Sequence, residues 1–118
     1  MKHSTEAETY ANQLSVQMRK GVLAYCVLVV CDGEAVYSSD VIKRLHLAEL
    51  VVAEGTIYPL LSRLQRDGLL AHQWQESEQG PPRKYYRITP YGQEIRAALQ
   101  EQLGALNKTL TKLEKGTL

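Results

Sequence analysis

The sequence predicts a mainly α-helical protein with a small β-hairpin, arranged as a winged helix-turn-helix followed by a long C-terminal helix. Three observations carry this prediction. An amphipathic segment over about residues 53–67 stops at Gly68. Two stretches rich in β-forming residues follow, and a polar Gly-Pro turn at residues 76–82 separates them. A last helix then begins at Thr89–Pro90, with threonine as N-cap and proline at the first helical position.

Length and composition limit the class of protein. With 118 residues the chain fits one small domain, and its 44% hydrophobic and 23% charged content is ordinary for a folded protein. The polar, acidic start of the chain resembles no secretory signal, and the longest apolar run, Val22–Cys31, is too short to span a membrane. Cys26 and Cys31 lie five residues apart in that run and cannot easily bridge. We therefore expect a reducing, cytoplasmic location.

The first helix is predicted from about Glu8 to Cys31. Apolar residues recur along it at spacings of three and four, which is typical of one buried face: Leu14, Met18, Val22, Tyr25 and Val29. The second half of this helix is apolar on all sides, and one small domain offers limited cover for such a helix. We therefore expect a partner chain to cover part of it.

Two shorter helices are predicted next. One begins near Ser38, with serine as N-cap, and buries Val41, Ile42, Leu45 and Leu47. Leu50–Val52 is too short for a helix and is predicted as a small strand. The third helix, residues 53–67, buries a stripe of Ile57, Leu60, Leu61 and Leu64.

The hairpin and the last helix complete the pattern. Leu70–Trp74 and Arg83–Thr89 are predicted as the two strands of a wing; Tyr85 and Tyr86 point to opposite faces, so that one is buried and the other exposed. In the last helix the apolar stripe suits packing along another helix, as in a coiled coil: Ile95, Leu99, Leu103, Leu106, Leu110 and Leu113.

The charge distribution matters more than the net charge of +1. No acidic residue lies between Glu78 and Glu94, whereas Arg83, Lys84 and Arg87 all do. A local positive stripe of this kind suits a phosphate backbone even when the whole chain is nearly neutral. The same cations on an edge strand also protect against aggregation, and both roles can hold together.

Other function classes find less support. His3, His46 and His72 and the two cysteines show no metal-ligand spacing, and no glycine-rich phosphate loop or nucleophile motif is present. We expect neither an enzyme nor a bound metal or cofactor. A winged helix that binds only other proteins stays an alternative to a DNA-binding protein, because a fold does not determine a function.

Two motifs carry a family resemblance. Gly-Thr-Ile-Tyr-Pro from Gly55 and Arg-Lys-Tyr-Tyr-Arg-Ile-Thr from Arg83, at this separation, resemble the PadR family of bacterial transcriptional regulators, over about residues 22–113. The resemblance implies a homodimeric winged-helix repressor of the short subfamily. Residues 1–89 would form the DNA-binding domain and residues 90–118 a C-terminal dimerisation helix.

The resemblance also assigns roles to residues. The third helix would enter the major groove of an operator, and the wing would contact the minor groove or the backbone. The family usually has Gly-Tyr where this chain has Ser38–Ser39, so Tyr37 would supply that phosphate contact. Together the sequence and the resemblance predict these DNA-binding residues: Tyr37, Ser39, Lys43, Glu54, Gly55, Thr56, Tyr58, Pro59, Ser62, Arg63, Arg83 and Lys84.

An effector site is the last expectation. Some short family members carry a tryptophan in the last helix that stacks aromatic ligands at the dimer centre, where this chain has Leu103. Leu14, Met18, Leu99 and Leu103 are interpreted first as plain dimer core, and an apolar pocket for a small apolar or aromatic effector is the alternative for the same four residues.

Overall fold

The structure is a computed structural model that describes residues 4–116. Four helices and a three-stranded antiparallel sheet follow one another as α1 Thr5–Val30, β1 Val36–Tyr37, α2 Ser38–Leu47, α3 Glu54–Arg66, β2 Leu70–Ser77, β3 Gly80–Ile88 and α4 Pro90–Lys115. The predicted fold class, mainly helical with a β-wing and a long C-terminal helix, is confirmed. Within the described residues, no helix combines the length and the apolar character needed to cross a membrane.

Helix α1 begins three residues before its predicted start. The side chain of Ser4 caps it by accepting a hydrogen bond of 3.1 Å from the backbone N–H of Ala7. The carboxylates of Glu6 and Glu8 in the first turn stabilise the helix through their attraction to the positive end of its dipole. The cap lies in the polar N-terminal segment, where no apolar periodicity signals a helix.

The core takes a different face of α1 from the one predicted. Leu23, Val27 and Leu28 are the buried residues of α1, and they join the cluster formed by α2, α3 and the sheet. Leu14 and Val29 of the predicted stripe are exposed, as is Met18, with 72% of its surface accessible. The helix therefore has two apolar faces, and residues 4–116 cover only one of them.

The region around α2 differs from prediction in three ways. Its N-cap is Tyr37, which makes no side-chain capping bond, so the predicted serine cap is wrong. Leu47 is 83% exposed rather than buried. Leu50–Val52 is not a strand: the N–H of Leu50 donates to the carbonyl of Leu45 at 2.9 Å and closes the end of α2, helped by the positive φ of Glu49 (66°).

The strand missed by the sequence analysis is β1, which pairs with the far edge of β3. The sheet order is β1-β3-β2, with Val36 opposite Tyr86 and Tyr37 opposite Tyr85. The β2–β3 hairpin is longer than predicted, because its strands continue to Ser77 and resume at Gly80. Its register shifts between Gln75 and Ser77, and the two prolines of β3, residues 81 and 82, lie opposite this interruption, where a missing N–H costs little.

A compact joint fixes the start of α4 against the end of α3. The Thr89 hydroxyl donates to the Gly68 carbonyl at 2.6 Å and accepts from the N–H of Gly92 at 2.9 Å, as the predicted N-cap. Gly68 has φ +86°, a conformation that favours glycine. A Cβ on Gly92 would overlap the Leu69 carbonyl oxygen, so only glycine fits this contact.

A second connection joins α4 to the end of α1. Arg96 Nη1 lies 3.0 Å from Asp32 Oδ2, and the backbone N–H of Ile88 donates to the Cys31 carbonyl at 3.0 Å. Burial raises the pKa of the Cys31 thiol to about 12, and burial also raises the pKa of Cys26. Both cysteines are free thiols, and Cys31 behaves as a core residue.

Candidate nucleic-acid interface

The outward side of α3 divides into a central stripe and two flanks. Ile57, Leu60, Leu61 and Leu64 are buried, as predicted. By helical periodicity the opposite, solvent-facing stripe carries Gly55, Pro59, Ser62 and Arg66. Tyr58 lies on one flank, and Thr56 and Arg63 lie on the other.

Two residues leave backbone polar groups unpaired in the exposed N-terminal half of α3. Ala53 is the N-cap and makes no side-chain capping bond. Pro59 lies within the helix and has no N–H for the carbonyl of Gly55, which is itself exposed. Backbone polar groups of this half are therefore left available to an external partner.

Tyr58 faces the start of α2 and the wing. Burial, together with the charges of Glu54 and Tyr37, raises the pKa of the Tyr58 hydroxyl, while the nearby Ser38 side chain acts in the opposite direction. The phenol therefore stays protonated at neutral pH and can donate a hydrogen bond to a phosphate or a base acceptor.

One face of the wing carries a contiguous aromatic and cationic group. The rings of Tyr37 and Tyr85 lie 5.6 Å apart, and the guanidinium carbon of Arg83 stands 4.8 Å from the centre of the Tyr37 ring. Stacking on the aromatic ring holds the Arg83 side chain without neutralising it. Tyr37 and Arg83, predicted separately, are thus brought together, and Tyr85 is a member of the group that sequence reasoning missed.

Lys84 lies on the opposite face of β3. Its Nζ is 5.2 Å from the centre of the Tyr86 ring, and Tyr86 is the buried tyrosine of the pair, 4% exposed, whereas Tyr85 is half-buried. Arg83 and Lys84 therefore project from the two faces of the wing, so that each is available to a different phosphate.

The other flank of α3 faces α1 rather than the wing. Thr56, Pro59 and Arg63 line a cleft of about 520 Å³ together with Lys20 of α1. Lys20 was not predicted as a site residue. Its signal in the sequence is a second stripe on α1, in which Val16, Lys20 and Ala24 recur at intervals of four.

The remaining predicted contacts lie around this surface. Lys43 is exposed, with its Nζ 3.7 Å from an Asp40 oxygen, and Ser39 is half-buried in the first turn of α2. Glu54 is exposed at the first position of α3. The four residues of the predicted effector pocket lie apart from this surface: Leu14 and Met18 are exposed on α1, and Leu99 and Leu103 are half-buried on α4.

Known proteins share this fold and part of this sequence. Residues 27–98 match the family described as the transcriptional regulator PadR-like family. This chain belongs to the PadR-like family. A PadR-like transcription factor from Bacteroides fragilis is 46% identical, with a TM-score of 0.72 over 86% of this chain and 98% of that one. A PadR family regulator from Eggerthella lenta is 29% identical, with a TM-score of 0.87 over 93% of this chain and 96% of that one.

A curated relative gives the same classification. The transcriptional regulator Rv3488 of Mycobacterium tuberculosis is 47% identical over 57 residues, which is 48% of this chain. The matching segment spans 50% of the length of that relative. The family and both kinds of relative are described as transcriptional regulators or transcription factors. Within residues 4–116, no three His, Cys, Asp or Glu side chains lie close enough together to hold a metal ion.

Proposed function

We propose that this PadR-like protein is a homodimeric, sequence-specific repressor that binds an operator with α3 and the wing and is released by a small effector. As a regulator of transcription it would act in the cytoplasm, on the chromosome. The observation that carries the proposal is that Tyr58 of α3, a neutral hydrogen-bond donor, lies beside Tyr37, whose ring carries the Arg83 guanidinium. Within residues 4–116, Arg83 takes part in no ion pair.

The test of DNA binding is its dependence on salt. A protein that neutralises phosphates releases counterions, so affinity for duplex DNA is expected to fall about a thousandfold or more between about 50 and 200 mM salt. The measurement is fluorescence anisotropy with the duplex upstream of the protein's own gene, compared with a scrambled duplex. Salt-insensitive or absent binding to both would favour the alternative, a winged helix that binds only other proteins, which the small net charge keeps open.

Dimerisation is the second part of the proposal, and exposed apolar residues on two helices support it. Tyr10, Leu14 and Met18 follow one another at intervals of four on α1. On α4, Leu106, Leu110 and Leu113 continue the stripe whose earlier members pack on the core. Two faces of this kind, with the heptad-like spacing of α4, suit a second copy of the chain. Pairing would also set the distance between two α3 helices, which must match about 34 Å on the duplex.

Leu110→Asp is expected to weaken dimerisation by about a hundredfold or more, because each dimer would bury the new charge twice. The measurement is sedimentation equilibrium over a concentration series. Thr111→Asp is the matched control: it adds the same charge at a position that is exposed and, by helical periodicity, turned away from the leucine stripe. Equal dimerisation of both variants and the unmodified protein would contradict the assignment of α4 to the dimer.

Repression and its relief stay proposals that follow from the resemblance. Transcription from the protein's own promoter in a purified system is expected to fall when the dimer is added. An effector at the dimer centre, lined by Leu14, Met18, Leu99 and Leu103, would change the separation of the two α3 helices. Such a ligand weakens operator binding while the protein stays dimeric, which distinguishes it from a dissociating agent.

A further inference from the structure

The cleft between α1 and α3, here called the α1–α3 cleft, has the size of a small-molecule site. Its volume of about 520 Å³ falls within the range of about 300–1,000 Å³ typical of ligand pockets. Helix α1 contributes Lys20, Leu23 and Ala24, and α3 contributes Thr56, Leu60 and Arg63. The cleft lies directly against the helix that the proposed function places in the major groove.

The charges in this cleft are all positive. Lys20, Arg63 and Arg66 line it, and no carboxylate does. Among residues 4–116, Lys20 and Arg63 take part in no ion pair, and the one carboxylate near Arg66 is the exposed Asp67, with 3.9 Å between Arg66 Nε and Asp67 Oδ1. Cations gathered without a counter-charge favour an anionic occupant.

The base of the cleft is apolar. Leu23 and Leu60 belong to the buried core, and Ala24 packs against it. A second hollow of about 280 Å³ shares Lys20 and Thr56 with the first and continues past Val16, Val51 and Val52. An occupant with an anionic head near the cations would therefore find apolar surface for its body.

A phosphate of the DNA backbone is a weaker fit to the same observations. The cations lie above an apolar base formed by Leu23 and Leu60, and a phosphate contact makes no use of such a base. The solvent-facing stripe of α3 carries Gly55, Pro59, Ser62 and one cation, Arg66, which with Pro59 also reaches the rim of the cleft. The cleft is also on the side of α3 away from the wing.

We propose that the α1–α3 cleft binds a small amphipathic anion, one carboxylate on an apolar body, and that this ligand competes with the operator. The carboxylate pairs with Lys20 and Arg63, and the body lies on Leu23 and Leu60. Competition arises because the ligand occupies Thr56 and Arg63, which the duplex would otherwise contact. The competition with the operator rests on the proposed function, whereas binding of the anion does not.

Octanoate is the probe, with octan-1-ol and octylammonium as neutral and cationic controls of equal chain length. Isothermal titration calorimetry on the full chain is expected to show octanoate binding at least about tenfold more tightly than either control, since neither control carries an anion to pair with the cations. Lys20→Gln is expected to weaken octanoate binding about tenfold. Lys20 is exposed, so the substitution leaves the core intact. Lys112→Gln, which removes a remote exposed cation of α4, is expected to leave octanoate binding unchanged.

Three results would overturn the site: no octanoate binding, equal binding of octan-1-ol, or equal octanoate binding by Lys20→Gln and the unmodified protein. A loss of duplex affinity in Lys20→Gln with unchanged octanoate binding would assign Lys20 to the DNA backbone instead. Duplex binding measured without octanoate separates the two proposals. If the protein binds the duplex but not octanoate, the proposed anion site is wrong and the proposed function stands. If the protein binds octanoate but not the duplex, the proposed function is wrong and the anion site stands.

Discussion

Replacing Arg83 and Lys84 together with alanine is expected to reduce affinity for every duplex by roughly three orders of magnitude at about 0.1 M salt, because both cations are removed from each wing of an operator-bound dimer. The slope of log affinity against log salt concentration should become shallower by about 0.9 for each phosphate that is no longer neutralised. For the four cations removed from a dimer, the total change in slope is close to four. The two side chains project from opposite faces of β3 and are not neutralised by any carboxylate within residues 4–116, so their effects are expected to be additive.

The matched control removes Lys108 and Lys112 from the exposed side of α4, which changes the net charge equally. That double variant is expected to retain the full salt dependence. Thr56→Ser tests a different kind of contact with DNA. The wing variant is expected to lose affinity equally for all DNA sequences, because its cations contact phosphates. Thr56→Ser is expected to change which DNA sequence is preferred. Unchanged duplex binding by the Arg83 and Lys84 variant would refute the role of the wing.

Gly92→Ala is expected to destabilise the fold by about 3 kcal/mol, which for a chain of this size lowers the melting temperature by about 10 °C. The new Cβ would overlap the Leu69 carbonyl oxygen and lie 2.7 Å from Ile88 Cγ1, and a backbone oxygen held by the Thr89 joint cannot move aside as a flexible side chain can. Differential scanning calorimetry gives the melting temperature directly.

Gly104→Ala is the control for Gly92→Ala, because both glycines lie in α4. A Cβ at Gly104 meets no atom within 4 Å, so the better helix propensity of alanine is expected to stabilise this variant by up to about 1 kcal/mol. Equal melting temperatures for Gly92→Ala and the unmodified protein would show that α4 can shift away from Leu69, and that the joint is not rigid.

Local signals predicted the order of the elements well. Gly68 ends α3, and Thr89 with Pro90 starts α4, because caps depend on a few neighbouring residues. Strand β1 was missed because its partner, β3, lies about fifty residues away in sequence, and two residues carry no periodicity. Leu50–Val52 was predicted as a strand from a short run of β-forming residues alone, and the structure places it in the connection between α2 and α3.

The candidate site was predicted as a set of residues but not as an arrangement. Periodicity showed that Tyr58, Thr56 and Arg63 leave the core, yet their division between the wing side and the α1 side depends on how α1 crosses α3. The predicted buried stripe of α1 has the same cause: Leu14 and Met18 are apolar in the right spacing, but the chain packs its other apolar face. A monomer sequence cannot say which face a second copy covers.

The contacts of Thr89, Gly68 and Gly92 attach the first turn of α4 to the end of α3, so that α4 can tilt about this point as one rigid helix. With 26 residues, α4 is about 39 Å long at 1.5 Å per residue. A tilt of about 5° at this point therefore moves the far tip by about 3 Å, and conversely a displacement of that size at the tip rotates the base by a few degrees. In the proposed dimer, a small change in the angle at which two α4 helices cross would therefore reach each α3 helix as a rotation.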